Sequence, residues 1–370
     1  NLDPEDYASY LKLLNLHHRR GNLKPLNDLL ESGAKSDILR PYALRFRLVR
    51  ALEAGEWEKA DELFADIRAT GNEAVINFAR SRLFRHSFDR RAEANAIPED
   101  ERVKLFWWEE PFPGNLGDII NPYVIEGLTG VPPKFAPRGQ GLSAIGSVIK
   151  FAKEATPVWG SGSPHATEPL ESKAKYYAVR GPLTRNLVIE SGGSCPEVYG
   201  DPAWALPLLY LPEVEKTHKT GLILHFTHEA ADLRVDPAIR SIGIRRCGIN
   251  EIEAFLDEML SCERIVSTSL HGVIIAHAYG LPACWATVSG ARQQIHGDGT
   301  KFADYYASVG VYDPVEPLDL SRLETICDSA LPDHLFRPIK HRIDLPKLLE
   351  AAPFDIRPEF RTRAQNFMER

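Results

Sequence analysis

The chain has 370 residues, of which 44% are hydrophobic and 26% charged, and its net charge is -7. That length exceeds one ordinary compact core, so two or three units are expected, and the composition is that of a soluble globular protein. The acidic balance argues against a general nucleic-acid binder or a basic membrane-attracted protein, so an anionic substrate would need a local pocket of Arg, Lys and His.

Residues 1–97 read as wholly helical. YASYLKLLNLHHRRGNLKPLNDLLESG places apolar residues at i, i+3, i+4 and i+7 and breaks at Gly21 and Gly33. LEAGEWEKADELF turns at Gly55 between two amphipathic helices and resembles one tetratricopeptide-like hairpin, with Ala60 allowing close approach. Such hairpins serve either as a partner-docking module or as an accessory cap. HSFDRRAEANAIPEDER, with its charge and Pro98, reads as a linker.

Residues 98–215 then alternate in the manner of a parallel α/β layer. VKLFWWEE, SAIGSVI, TPVWGSGS and KYYAV are the strands, while DIINPYVIEGLTG and PLTRNLVIESGG are the helices. A Pro-rich crossing, YGDPAWALPLLYLPEVEKTHKT, leads to a second α/β set over 216–330. Its predicted strands are GLILHFTH, RSIGIRRCG, RIVSTSLHG and PACWATV. The expectation is two Rossmann-like domains facing across a cleft, with the site at the carboxyl ends of the strands. Residues 331–370 are expected to form helices over the domain junction.

No apolar run approaches the roughly 20 residues that span a bilayer. The chain opens on NLDPEDYASY without Met or a signal-like segment, which implies missing upstream residues and a cytoplasmic protein. Five cysteines, with no CxxC or Cys/His spacing, support neither a zinc site nor a disulfide framework. GxGxxG and GxxxxGK[ST] loops are absent, so NAD binding and a P-loop are unsupported, and no cofactor or metal is expected.

Candidate chemistry lies at the strand exits. In RIVSTSLHGVIIAHAYG, His271 follows Ser269 in the exit loop, and a helix from Val273 would aim its positive end at the cleft. His277 is expected to be a helix residue without a role. In AVRGPLTRN, Arg180 ends a strand and could grip phosphate or carboxylate in bidentate fashion, while Arg185 sits in a first helical turn, where an anionic ligand would suit it. A surface salt bridge is the plainer reading of Arg185. PFPGNLGDIINP sets Asn115 in a tight loop with Asp118 near a helix start, where Asp is also an ordinary N-cap. Lys301 precedes an aromatic helix, His225 and His228 leave a strand, and Asp201 lies before the crossing.

These pieces, in this order, resemble the polysaccharide pyruvyltransferases of bacterial exopolysaccharide assembly. The matching motifs are GNLGD at 114–118, IGS at 145–147, VWGSG at 158–162, VRGPLTR at 179–185 and GDPA at 200–203, followed by GLILH at 221–225, STSLHG at 267–272 and KFADYYASVG at 301–310. The resemblance implies a glycosyltransferase B-like pair of domains that transfers pyruvate from phosphoenolpyruvate to two hydroxyls of one sugar. It makes His271 the conserved histidine, Arg180 the cleft arginine and Lys301 the cleft lysine. That family often carries Arg before Leu-His, where this chain has Ser269. The expected acid is His271, with Asp118, Asp201 or His225 accepting hydroxyl protons. Asn115, Ser161, His225, Ser269 and Arg185 complete the expected substrate-binding set. Acceptors in such families are commonly lipid-linked, which implies work at the inner face of the cytoplasmic membrane. The competing readings are a glycosyltransferase with a nucleotide-sugar donor, and a non-catalytic scaffold docking partners through its N-terminal helices.

Overall fold

A computed structural model describes residues 6–337, 339 and 343–368. The predicted last helix runs past that limit, so its residues 369 and 370 lie outside the description, as do residues 1–5 of the first helical region. The described residues fall into two compact units. One takes in the chain up to Asn95 together with Glu110–Pro113, and the other takes in Ala96–Glu109 and the chain from Gly114 onward.

The first unit is helical: α1 (Tyr7–Arg19), α2 (Leu23–Ala34), α3 (Arg40–Glu53), α4 (Trp57–Ala69) and α5 (Glu73–Ala94). Gly55, at φ +71, makes the turn from α3 to α4 in the left-handed region that favours glycine. Ala60 is buried in one cluster with Leu48, Ala51, Ile67 and Val75, so the small side chain does lie where these helices meet. Asn72 caps α5 by accepting from the Val75 amide at 3.1 Å.

The second unit contains two all-parallel five-stranded sheets. The first has the order β2-β1-β3-β4-β5, from β1 (Lys104–Phe106), β2 (Lys134–Phe135), β3 (Leu142–Ser143), β4 (Pro157–Trp159) and β5 (Lys175–Ala178). The second has the order β10-β9-β8-β6-β7, from β6 (His218–Ile223), β7 (Arg240–Ser241), β8 (Cys262–Ser267), β9 (Ala283–Thr287) and β10 (Leu318–Asp319). The strand expected over RSIGIRRCG joins its sheet through Arg240 and Ser241, at an exposed edge, while its Arg245 forms an isolated antiparallel bridge with Asn115.

Helices between the strands are α6 (Leu116–Thr129), α7 (Pro182–Glu190), the single turn α8 (Leu206–Leu209), α9 (Ile249–Leu260), α10 (Leu270–Ala278) and α11 (Thr300–Ser308). Near the end of the chain, α12 (Leu345–Glu350) accepts the Trp159 indole N–H on the Leu348 carbonyl at 2.8 Å. Then α13 (Pro358–Met368) follows, with Arg363 donating to the Leu208 carbonyl at 3.1 Å. Both contacts attach the end of the chain to the half built on the first sheet. Central strands read as unbroken apolar runs because both faces are covered, as Ile265 and Val266 of β8 show with no exposure at all.

One buried ion pair spans the two sheets. Arg180, two residues beyond β5, donates from Nε to Asp304 Oδ2 at 3.2 Å, and neither side chain is exposed. Asp304, on α11, also accepts from the Thr184 amide at 2.9 Å and the Thr184 hydroxyl at 2.7 Å. The remaining guanidinium nitrogens donate to Ser147 Oγ at 3.1 Å and the Ser163 carbonyl at 2.7 Å. Removing one member strands the other charge in low dielectric. Arg180→Leu should therefore destabilise by about 3–5 kcal/mol in urea unfolding, whereas the exposed-partner Arg185→Leu should cost about 1 kcal/mol or less. Equal costs would mean that the Arg180 pair is solvated.

Candidate active site

The exits of strands from both sheets bring one group of polar side chains together. Ser269 is the N-cap residue of α10, and His271 stands in the first turn of that helix rather than in the loop before it. Ser267 Oγ accepts from the Ser269 amide at 3.0 Å and donates to the Ile223 carbonyl at 3.1 Å, so it fixes the turn from β8 into α10. His271 Nε2 lies 3.4 Å from Asp201 Oδ2, with the carboxylate wholly buried and the imidazole side chain 10% exposed. Asp201 Oδ1 meanwhile caps the following turn by accepting from the Ala203 amide at 3.0 Å. Asp201 therefore faces the ring, not solvent. The other side of the ring lies over Gly117, where a Cβ would overlap Nδ1.

Gly117 belongs to the first turn of α6, beside Asn115 and Asp118. The Asn115 amide donates to Asp118 Oδ2 at 2.7 Å. Burial pushes the Asp118 carboxyl up to about 6, although the Asn115 hydrogen bond and the charges of His271 and Lys301 pull the other way. Lys301, in the first turn of α11, moves oppositely. Burial and the Arg180 charge bring its ammonium down to about 8, with Asp118 as the partial compensation. A cation in a first helical turn is also opposed by the helix dipole.

His225 follows β6. Its Nδ1 accepts from the Thr227 amide at 3.3 Å, so the Thr227 hydroxyl, 2.8 Å away, donates to it as well. The neutral ring then carries its proton on Nε2 and is a donor there. Burial, then the charges of Lys301, His228 and His271, hold this histidine down to about 3, so it stays neutral through the working range. His228 is 1% exposed, and among the described residues neither of its ring nitrogens has a hydrogen-bond partner.

The cluster thus unites Asn115, Asp118, Asp201, His225, His271 and Lys301, and Arg180 borders it. Three expectations need correction. Arg180 does not present a free fork, because Asp304, Ser147 and Ser163 occupy it, and its influence on Lys301 is through position and field. Arg185 points elsewhere, donating to the Cys195 carbonyl at 3.0 Å and pairing with exposed Glu197 at 3.5 Å. Ser161 is fully buried and donates to the Gly146 carbonyl at 2.8 Å, a loop brace rather than a ligand group. His277 is buried against the Tyr305 hydroxyl at 2.9 Å.

Sequence reasoning missed Asp304, Thr184 and Gly117. Asp304 lies one helical turn beyond Lys301 in KFADYYASVG, and that spacing was the available signal. Among the described residues no group of three His, Cys, Asp or Glu is placed to hold a metal ion, and no helix is long and apolar enough to cross a membrane.

This is an α/β protein with two parallel sheets whose strand exits share one mixed-charge cluster. Residues 161–290 match the family described as polysaccharide pyruvyl transferase. The match includes Arg180, Asp201, His225 and His271 but not Asn115, Asp118 or Lys301. The chain is similar to the succinoglycan biosynthesis protein ExoV of Rhizobium meliloti (strain 1021), at 30% identity over 56% of this chain and 66% of that protein. It is also similar to the uncharacterized protein L143 of Acanthamoeba polyphaga mimivirus, at 26% identity over 45% of this chain and 59% of that protein. The chain therefore spans less than two thirds of each of these relatives. No solved structure matches it significantly.

A carboxyl raised by folding holds its proton better in the native state than in the unfolded one. Its stabilising contribution is complete below about 4 and is lost as pH rises through about 6. Asp118→Asn lacks this loss, so the difference in unfolding midpoint should shift in favour of the variant between pH 4 and pH 7. A difference that stays constant with pH would place the carboxylate in solvent.

Proposed function

We propose that the chain transfers the pyruvyl group of phosphoenolpyruvate to two hydroxyls of one sugar ring, closing a cyclic ketal during exopolysaccharide assembly. The observation that carries this reading is the Asp201–His271 pair set beside Asp118, His225 and Lys301 in a chain whose residues 161–290 match the polysaccharide pyruvyl transferase family. On this reading the two sheets form a glycosyltransferase B-like pair, and the N-terminal hairpins are tetratricopeptide-like. Phosphoenolpyruvate is itself the donor, and no cofactor is invoked. The work is done in the cytoplasm, at the inner membrane face when the acceptor is lipid-linked.

The chemistry needs an acid, a base and compensation for a small multivalent anion. His271, oriented by Asp201, delivers a proton to the methylene carbon, leaving positive charge on the carbon that bears the phosphate oxygen. The first sugar hydroxyl adds to that carbon. The C–O bond to phosphate then breaks, and the second hydroxyl closes the ring. Of the two hydroxyl protons, one replaces the proton spent on the methyl group and the other leaves with phosphate.

On this reading Asp118 accepts the hydroxyl proton, because Asp201 is sealed behind the imidazole and His225 offers N–H rather than a lone pair. A carboxyl that titrates near 6 is matched to that task near neutrality. Lys301 and the His225 N–H hold phosphate and carboxylate oxygens, replacing hydration that the site excludes.

Incubation with phosphoenolpyruvate and a panel of methyl pyranosides should release inorganic phosphate and add a pyruvyl increment by mass spectrometry. His271→Ala should keep less than about a tenth of that turnover. Nucleotide release from a sugar nucleotide instead would assign the chain to glycosyl transfer. Binding an anion also raises a lysine that otherwise stands near 8. Phosphoenolpyruvate should therefore take up roughly half a proton at pH 8, read by calorimetry in buffers of different ionisation heat. Lys301→Met should lose the uptake. An unchanged uptake in that variant would remove Lys301 from the anion site.

A further inference from the structure

A second concavity lies on the same edge of the second sheet. The segment after β6, the loop after β9 and the turn after β10 enclose a recess of about 560 Å³, within the range of small-molecule sites, about 300–1,000 Å³. We infer that this recess is the subsite for the acceptor: it takes one pyranose ring of an uncharged sugar and delivers its hydroxyls to the cluster around His225. The inference rests on the reading of the preceding subsection and names where its second substrate sits.

Four charged side chains line the recess: Asp232, Arg234, Arg292 and Glu324. Among the described residues none of the four has a hydrogen bond or ion pair through its side chain, unlike Arg185, Arg240 and Arg246 elsewhere on the surface. Two positive and two negative groups sum to zero. A nucleoside diphosphate or a bare phosphate would gain from the arginines but would meet two carboxylates. A polyol suits all four, because each hydroxyl both donates and accepts, and vicinal hydroxyls bridge a carboxylate or a guanidinium in pairs. Val288, at the exit of β9, adds an apolar surface suited to the C–H face of a sugar ring.

Position supplies the second argument. Thr227 lines the recess, and its hydroxyl is hydrogen-bonded to His225 Nδ1 at 2.8 Å. One residue therefore borders both the recess and the cluster that contains His271 and Asp118.

The test uses the full chain, with phosphoenolpyruvate binding followed by calorimetry and sugar binding followed by saturation-transfer NMR on methyl glucoside, galactoside and mannoside. Arg234→Gln and Glu324→Gln are surface changes outside the proposed catalytic set, and Arg185→Gln is the control. Each of the first two should weaken binding of whichever pyranoside responds, and raise its KM, by about tenfold. Affinity for phosphoenolpyruvate, and kcat at saturating acceptor, should stay within about twofold. An unchanged KM, an equal effect of Arg185→Gln, or a parallel loss of phosphoenolpyruvate binding would overturn the assignment. So would the absence of saturation transfer to every pyranoside while phosphoenolpyruvate still binds. If the wild type fails to bind phosphoenolpyruvate but transfers saturation to a pyranoside through Arg234 and Glu324, the donor is wrong and the sugar site stands.

Discussion

The buried contact between Arg180 and Asp304 is the constraint on which the rest of the second unit depends. It joins the exit of β5 in one sheet to α11, which leads away from the other, and Thr184 completes the carboxylate's shell with two further donors. A pair with no exposure on either side is a poor source of net stability, because desolvation of both ions offsets most of the attraction. Its value is geometric. Asp304 lies one turn from Lys301, so fixing the carboxylate also fixes the height and rotation of the ammonium beside Asp118. Gly181 lets the two backbones approach, since a Cβ there would overlap the Asp304 carbonyl.

Electrostatically, the cluster is set against itself. The same burial lowers Lys301, raises Asp118 and keeps His225 neutral, and the nearby Arg180 field deepens the first of these. Each shift reflects the cost of burying the charged form, which the attraction between Asp118 and Lys301 offsets only in part. An incoming anion relieves the cost at the lysine, while the carboxyl keeps a proton affinity near neutrality. The site is thus tuned by exclusion of water more than by any single strong pair.

Much of this organisation was legible in the chain. Alternating apolar runs and Gly stops gave the two α/β sets, and their placement of the polar motifs at strand exits set Asn115, Asp118, His225 and His271 on one edge. Side-chain direction was less legible. Arg180 and Arg185 differ by five residues and share one motif, yet one turns inward to a carboxylate more than a hundred residues away, and the other turns out to Glu197. No local pattern encodes that choice, because the deciding partner, Asp304, comes from another element. The strand predicted over RSIGIRRCG is cut short for a related reason: past Ser241 its partners come from another element, with Arg245 bridging Asn115 and the Ile244 carbonyl accepting from the Leu116 amide at 3.0 Å.

Gly117 ties two distant positions to one another. It sits in ordinary helical backbone, without the positive φ that makes other glycines irreplaceable, and the three atoms nearest to where a methyl would go all belong to the imidazole of His271. Alanine at 117 would therefore force that ring to shift away from its place beside Asp201. Two residues more than 150 positions apart are in this way joined by a volume that neither could share with a methyl.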